Sequence, residues 1–309
     1  MTVKEVFELR KSGKIEEAYN EIRPMYAKHK GKYTTLAMFW VANDILKKRI
    51  EENQTDEALM IFKALVRTAR DIEDKDGSVC KALLHNTILL KDCSKAFRVI
   101  DFLKEYDIKE WHQSCWQTIT TQKGHVMPSY AQQMLTRIYH EVRQEPSIEN
   151  ALTAMPLLET AMRHNPNHKN NRRFMALVYI IMNEKEKAIE IYKNLLKRYR
   201  DSYLYDELSE LTEDSGVKAA LICQAIINQR QERFRTKYHL NLAKLLISRD
   251  NNRAHYELNK CIEIRNKLNI NINSEIKKLL ETLSHYTAVS EAEQQSFYKM
   301  MTEKYLKTI

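Results

Sequence analysis

Apolar residues recur along most of the chain at steps of three and four, the spacing that places side chains on one face of an α-helix. Residues 174–181 follow this spacing, and Ala188, Tyr192 and Leu195 follow it again after a short polar segment. The pattern predicts a helix, a turn and a second helix over residues 169–200.

Helix starts are predicted where a capping residue precedes an acidic residue by three positions. Asn183 with Glu186 has this spacing in the turn of the 169–200 hairpin. Ser290 with Glu293 has it again near the end of the chain. We therefore expect the second helix of the hairpin to be capped by Asn183, and the last helix of the chain to be capped by Ser290.

A small residue followed by apolar residues four and seven positions later recurs along the whole chain. A small side chain in the second helix of a hairpin lets the two helices cross closely. Besides Ala188, the copies begin at Ala18, Ala58, Ala96, Ala154, Ala219 and Ala254. The steps between them run from 31 to 40 residues, except for one step of 58 residues after Ala96. The chain is therefore predicted to consist of repeated helical hairpins.

This arrangement resembles the tetratricopeptide repeat family, whose unit is a 34-residue helix–turn–helix. Residues 169–200 also carry Ala176 and Tyr179 where the first helix of that family has a small residue and a tyrosine, and Pro166 follows Ala161 at the family's spacing. Most of the family's other first-helix positions are missing, so the repeats are degenerate. The resemblance implies an all-α fold: a right-handed α-solenoid of stacked hairpins with a C-terminal capping helix.

Four segments are expected along the chain. Residues 1–106 and 128–272 are predicted to be two sets of tetratricopeptide-like repeats, separated by an irregular insert or break at 107–127. The insert contains two of the three tryptophans and is interpreted either as an extra helix with a loop or, preferably, as a break between sub-arrays. Residues 273–309 are predicted to form capping helices. The last of these helices either closes the final repeat or docks on another protein.

The composition supports an all-α class and indicates the compartment and the charge of the expected partners. Five glycines and five prolines are too few for the tight turns of a β-rich fold. The five cysteines are odd in number and scattered, without a Cys-x-x-Cys, which is typical of a reducing compartment. We expect a cytoplasmic protein, because no apolar run approaches the length of a signal peptide or a membrane span. The net charge of +9 favours acidic partners.

Catalytic and metal-binding patterns are weak. His164 and His168 have the spacing of a helical metal pair, but Asn-Pro-Asn lies between them and predicts a loop. His112 and Cys115 could pair as base and nucleophile, yet no third residue is placed to orient them. The sequence therefore predicts a non-enzymatic protein that uses neither a cofactor nor a metal.

The tetratricopeptide resemblance implies a partner-binding groove lined by two positions of each first helix, four residues apart. The predicted groove residues are Asn43, Lys47, Lys81, His85, Tyr139, Arg143, Arg173 and His239. Four successive repeats contribute a cation and no acid, and Leu204 and Leu208 then make the groove apolar. An acidic, partly apolar peptide from another protein is the expected ligand. The family's chaperone-binding carboxylate clamp is not expected, because Phe174 and Leu177 occupy two of its positions.

Nucleic acid is the alternative partner. Basic clusters at 163–173, 193–200 and 230–237 alternate with aromatic residues, as in proteins that hold single strands through phosphate contacts and base stacking. Tyr192 and Phe174 are expected in the helix packing, which counts against this alternative. A peptide-sensing regulator with a DNA-binding domain is also disfavoured, because residues 1–35 have the pattern of a repeat. No membrane partner is expected.

Overall fold

The chain folds into α-helices joined by short turns in a computed structural model, which describes residues 1–121 and 123–307. It divides into two compact units, Met1–Met182 and Asn183–Ile309. The sub-array boundary expected at 107–127 therefore lies inside the first unit, apart from residue 122, which is outside the described residues. The predicted all-α class is confirmed.

The first unit contains nine α-helices within its described residues. They are α1 (Val3–Lys11), α2 (Ile15–Lys28), α3 (Lys32–Glu51), α4 (Thr55–Ala69), α5 (Ser78–Cys93), α6 (Val99–Glu105), α7 (Tyr130–Gln144), α8 (Ile148–His164) and α9 (Lys169–Ile181). Each helix packs against the next one along the chain, and α3, α5, α7 and α9 also contact the first helix of the preceding hairpin. Hairpins stacked through their first helices are the architecture that the repeat pattern predicted.

Left-handed residues end the first helices of several hairpins. Gly13 (φ 81°), Asn53 (φ 59°) and Asn183 (φ 61°) each follow directly on the helix C-cap. Glycine and asparagine tolerate this conformation best, and after α1 and α3 it lets the chain reverse into α2 and α4. The expectation that Asn183 caps the following helix is wrong, because Asn183 forms this left-handed turn and makes no capping hydrogen bond.

The small residues of the repeat pattern lie where expected, with one exception. Ala58, Ala154 and Ala254 are fully buried on second helices that pack against their neighbours. Ala96 is exposed in the turn before α6. The predicted position of Ala96 at a helix crossing is therefore wrong. The reason is that α6 begins only at Val99 and has seven residues.

A buried carboxylate from α7 determines where α6 begins. The oxygens of Glu141 accept hydrogen bonds from the backbone N–H groups of Val99 and Ile100, both at 2.9 Å. Lys91 Nζ lies 2.8 Å from the same carboxylate and balances its charge. The first N–H groups of a helix need such an acceptor, and here a side chain 41 or 42 residues away provides it.

The insert between α6 and α7 is ordered by contacts within the first unit. It contains 3-10 helices at Ile108–Glu110 and Gln113–Trp116 and a two-stranded antiparallel ladder of β1 (Ile119–Thr120) and β2 (Val126–Met127). Trp111 and Cys115 are buried, and the ring of Trp116 stacks on His164 with centroids 4.6 Å apart.

The second unit contains seven α-helices within its described residues. They are α10 (Lys185–Leu196), α11 (Ser202–Leu211), α12 (Ser215–Asn228), α13 (Glu232–Leu246), α14 (Asn251–Lys267), α15 (Ser274–Leu283) and α16 (Glu291–Tyr305). Consecutive helices from α10 to α15 pack against one another. Helix α16 starts with the predicted capping box of Ser290 and Glu293.

Helix α16 packs back along α12 and reaches α14 through buried polar contacts. The carboxylate of Glu257 on α14 accepts hydrogen bonds from Tyr298 Oη at 2.5 Å and from Gln294 Nε2, and it lies 2.6 Å from His239 Nδ1 on α13. The helix therefore covers two earlier hairpins, which goes beyond closing the last repeat. The final two residues of the expected 273–309 segment lie outside the described residues.

Candidate functional site

The predicted groove residues of the first unit lie on the stacked helices α3, α5, α7 and α9. Lys47, Lys81, His85, Tyr139 and Arg173 are half-buried, and Arg143 is exposed. Lys47 and His85 belong to one local cluster, and Tyr139, Arg143 and Arg173 belong to a second.

The first cluster lies where α5 meets α3 and α7. The rings of His85 and Tyr130 are 5.6 Å apart between centroids. Burial lowers the pKa of His85, and the positive charge of Lys47 lowers it further. Lys47 and His85 therefore lie close together. Tyr130 was not among the predicted groove residues. The repeat alignment made His85 equivalent to Arg143 of α7, so it did not place Tyr130 beside His85.

The second cluster lies between α7 and α9. The guanidinium carbon of Arg173 is 5.2 Å from the centroid of the Tyr139 ring, a cation–π contact. Tyr139 also packs edge-on against Phe174. The pKa of His140 is lowered by burial and then by the charges of Arg143 and Arg173, so this histidine is close to both cations.

A small cavity opens at this second cluster. Its volume is about 110 Å³, and Tyr139, His140 and Arg173 contribute to its wall. Opposite them, Gln132 Nε2 donates a hydrogen bond to Asn171 Oδ1 at 2.9 Å. The cavity combines an aromatic ring, a cation and amide groups, which suits a carboxylate or a peptide group better than an apolar ligand.

The two clusters do not share one continuous strip. Tyr130 and Tyr139 are nine residues apart on α7, which is about two and a half turns, so the two side chains lie on opposite sides of the helix. The insert changes the register between α5 and α7, as the contacts of His85 with Tyr130 and of Asp92 with Arg137 show. The predicted equivalence of Lys81 and His85 with Tyr139 and Arg143 therefore does not hold.

Asn43 and His239 were predicted in the groove, but both side chains lie in the interior. Asn43 is 1 % exposed, and its Oδ1 accepts a hydrogen bond from Asn86 Nδ2 at 2.9 Å. His239 belongs to the second unit and faces Glu257. A partner cannot reach either residue in this conformation, because each of these side chains turns toward the neighbouring helix.

The apolar end of the predicted groove is also part of the protein core. Leu204 and Leu208 on α11 are 0 and 1 % exposed. An open apolar cavity of about 310 Å³ lies elsewhere, between α4 and α6 of the first unit. Phe62, Phe97 and Phe102 contribute to its wall, and it exists because the short helix α6 leaves space along α4.

Pairing distinguishes three of the predicted cations from other basic residues of these helices. Arg137 forms a bidentate pair with Asp92, and Lys91 is paired with Glu141. In the part of the chain that the structure describes, Lys47, Lys81 and Arg143 have no carboxylate within ion-pair distance. Their charge is thus available to an external anion.

The residues weighed for chemistry have other partners. Cys115 Sγ donates to Cys80 Sγ, and His112 Nδ1 contacts Ser114 Oγ at 2.8 Å, so Cys115 and His112 do not form a nucleophile–base pair. His164 stacks on Trp116. Within residues 1–121 and 123–307, no three metal-ligating side chains converge, and none of the helices is long and apolar enough to cross a membrane.

Comparisons with known proteins give a family match and similar solved structures, among them the following two. A tetratricopeptide repeat protein from Parabacteroides merdae shares 13 % identity and a TM-score of 0.39, covering 92 % of this chain and 97 % of its own. BtubC (BKLC) from P. vanneervenii shares 10 % identity and a TM-score of 0.30, covering 91 % and 94 %. No curated protein matches the sequence. Residues 173–304 match the model of a domain of unknown function, DUF7017.

Proposed function

We propose that the first unit is a non-catalytic protein-interaction module that binds acidic peptide segments separately on α3 and α5, where Lys47 and Lys81 lie, and on α7 and α9, where Arg143 lies. The observation that carries the proposal is the absence of acidic partners for Lys47, Lys81 and Arg143 in the described part of the chain, whereas their neighbours Lys91 and Arg137 are paired. Stacked helical hairpins usually bind partners on such faces.

The second cluster gives the proposed site its selectivity. Arg143 is exposed at the end of α7 and supplies a charge that a carboxylate can reach. Arg173 is held over the Tyr139 ring, so its guanidinium loses little freedom when it binds an anion. The amides of Gln132 and Asn171 line the same cavity and can hydrogen-bond to a peptide backbone.

Fluorescence anisotropy with a short fluorescein-labelled peptide of alternating glutamate and leucine tests this proposal. We expect the full chain to bind it more tightly than the matching lysine–leucine peptide. The double variant Lys81→Glu, Arg143→Glu should weaken binding by about tenfold or more, because both cations would become repulsive.

The matched control is Lys277→Glu, Lys278→Glu, which makes the same change in net charge on exposed residues of α15. This control should bind nearly as the unchanged protein does. Equal weakening in both double variants would mean that only the overall charge matters, and unchanged affinity of the Lys81, Arg143 variant would disprove the site.

A nucleic-acid-binding role is the second candidate, and one observation in the second unit favours it. Phe234 is 52 % exposed and lies between Arg230, Arg233 and Arg235 at the start of α13. Labelled oligothymidylate should then bind with a steep salt dependence and lose affinity in Arg230→Glu, Arg233→Glu. The other expected rings are less suitable for stacking, because Phe174 and Tyr192 are buried.

A further inference from the structure

Two cysteines that are far apart in sequence meet in the interior of the first unit. Cys80 is the third residue of α5, and Cys115 lies in the 3-10 helix Gln113–Trp116 of the insert. Their sulfur atoms are 3.0 Å apart, and both side chains are fully buried. A disulfide bond has a sulfur–sulfur distance of about 2.05 Å, so an approach of about 1 Å joins them.

The surroundings hold Cys80 more firmly than Cys115. Asp74 accepts hydrogen bonds from the backbone N–H groups of Val79 and Cys80, which fixes the start of α5. Cys115 is carried by an irregular segment between α6 and α7. A small shift of that segment is less costly than a shift of a helix, so the insert can supply the movement that bond formation requires.

The two thiols are chemically different. The thiol of Cys115 donates its hydrogen to the sulfur of Cys80, and this contact lowers the pKa of Cys80 and raises that of Cys115. The hydroxyl group of Tyr106 and the backbone N–H of His112 also lower the pKa of Cys80. Cys80 is therefore the sulfur that becomes the attacking thiolate.

We propose that Cys80 and Cys115 form a dithiol site that a hydroperoxide converts reversibly into a disulfide, joining α5 to the insert. Cys80 sulfur attacks an oxygen of hydrogen peroxide, the O–O bond breaks, and the released hydroxide takes the thiol proton to become water. Cys115 sulfur then attacks the sulfenic acid on Cys80, the S–O bond breaks, and a second water leaves. Two thiols lose two electrons and two protons, and one peroxide becomes two waters.

The other described cysteines do not form such a pair. Cys223 and Cys261 are buried in the second unit, Cys93 is exposed at the end of α5, and none has a sulfur–sulfur contact among the described residues. The site is thus specific to one pair of the five cysteines. Peroxide is small enough to reach it when the insert opens locally.

Mass spectrometry of the purified full chain tests the proposal. After hydrogen peroxide or dithiothreitol, the protein is denatured and its free thiols are blocked with N-ethylmaleimide. We expect five adducts on the reduced chain and three on the oxidised chain. A tryptic peptide linking Cys80 to Cys115 should appear after oxidation and disappear with dithiothreitol. Oxidation should also raise Tm by several °C, since the bond closes a long loop.

Matched variants separate this pair from general thiol oxidation. Cys80→Ser and Cys115→Ser should lose the linked peptide and the rise in Tm, whereas Cys93→Ser and Cys223→Ser should keep both. Five adducts on the peroxide-treated unchanged chain would overturn the proposal, as would a link between other cysteines. This result comes from the unchanged protein, so it does not depend on whether a buried serine variant folds.

Discussion

Single side chains on the first helices of the first unit differ mainly in how their charge is balanced. Arg137 and Lys91 are paired with carboxylates, whereas Lys47, Lys81 and Arg143 have no carboxylate within ion-pair distance in the described part of the chain. His140 responds to this charge, because Arg143 and Arg173 lower its pKa in addition to burial. This histidine can therefore report on the site.

Replacing Arg143 with glutamine should raise the pKa of His140, because one of the cations that disfavour the imidazolium is removed. The pKa of His140 is below its ordinary value in the folded protein, so its contribution to stability is present above the unfolded pKa of about 6.5 and is lost as pH falls through the folded pKa. The Arg143→Gln variant should therefore lose less stability than the unchanged protein as pH falls. NMR titration of the histidine ring protons measures the pKa.

Arg163→Gln is the control for this titration, since Arg163 is an exposed cation on α8 that does not act on His140. It should leave the pKa of His140 unchanged. Saturation with the glutamate–leucine peptide should raise the pKa of His140 in the unchanged protein, because an anion near the ring stabilises the imidazolium. No change on saturation would place the peptide away from this cluster.

Among the helices, α6 depends most visibly on a distant residue. Its first N–H groups are satisfied by Glu141 of α7, and Lys91 of α5 completes the contact. This arrangement stabilises α5, α6 and α7 together, because each of the three helices contributes a group to it. Removing the negative charge should therefore affect α6 first, even though the substituted residue lies on α7.

Glu141→Gln should destabilise the first unit by about 1–3 kcal/mol, because it replaces a buried carboxylate with an amide that cannot accept both N–H groups in the same way and leaves Lys91 unpaired. Hydrogen exchange measured by NMR should show faster exchange at the amides of Val99 and Ile100. Glu145→Gln is the control, since Glu145 is exposed and only approaches Arg98 at 3.4 Å. Equal acceleration in both variants would contradict the capping role.

Helix periodicity and close-crossing positions could be predicted from sequence. Apolar spacing determines which face of each helix is buried, and the small residues Ala58, Ala154 and Ala254 lie at buried positions for the physical reason that was anticipated. The prediction for Ala96 was wrong, because the start of α6 is determined by the carboxylate of Glu141, which follows it by more than forty residues. A local pattern contains no information on such a contact.

Predicting the candidate site from sequence was harder for the same reason. Lys47, His85, Tyr139 and Arg173 were assigned to the groove from sequence, and the structure brings Lys47 close to His85 and Arg173 close to Tyr139. The predicted equivalence of residues on α5 with residues on α7 was wrong, because the packing of Trp111 and Cys115 sets the register between these two helices. The amphipathic positions alone also did not distinguish Asn43, which faces the next helix, from an exposed groove residue.

At the scale of the whole molecule, the chain has two compact units. The core of the second unit includes Ala219, Leu258 and Tyr298, which come from α12, α14 and α16. All three tryptophans, Trp40, Trp111 and Trp116, belong to the first unit. Tryptophan fluorescence therefore follows one unit, whereas far-UV circular dichroism follows the helices of both.

Denaturant unfolding should give different midpoints by these two methods, because repeat arrays unfold by units and not in a single step. Glu257→Gln should lower the stability of the second unit by about 1–3 kcal/mol, since it disturbs the hydrogen bonds from Tyr298 and Gln294. The circular dichroism transition should shift and the fluorescence transition should not.

Glu263→Gln provides the matched control on the same helix, because Glu263 is exposed and forms only a surface pair with Lys260. It should change the free energy of unfolding by about 0.5 kcal/mol or less. If both transitions coincide in the unchanged protein and move together in Glu257→Gln, the two units unfold as one.

The contact of Glu141 with α6 also has a consequence for synthesis on the ribosome. Residues 99–105 emerge from the exit tunnel well before residue 141. Until Glu141 emerges, the first backbone N–H groups of α6 therefore lack their acceptor. A hairpin whose contacts are all local can fold as it emerges, but the hairpin of α5 and α6 obtains its capping carboxylate only after α7 has been synthesised. In this part of the chain, translation therefore runs ahead of folding by roughly one repeat.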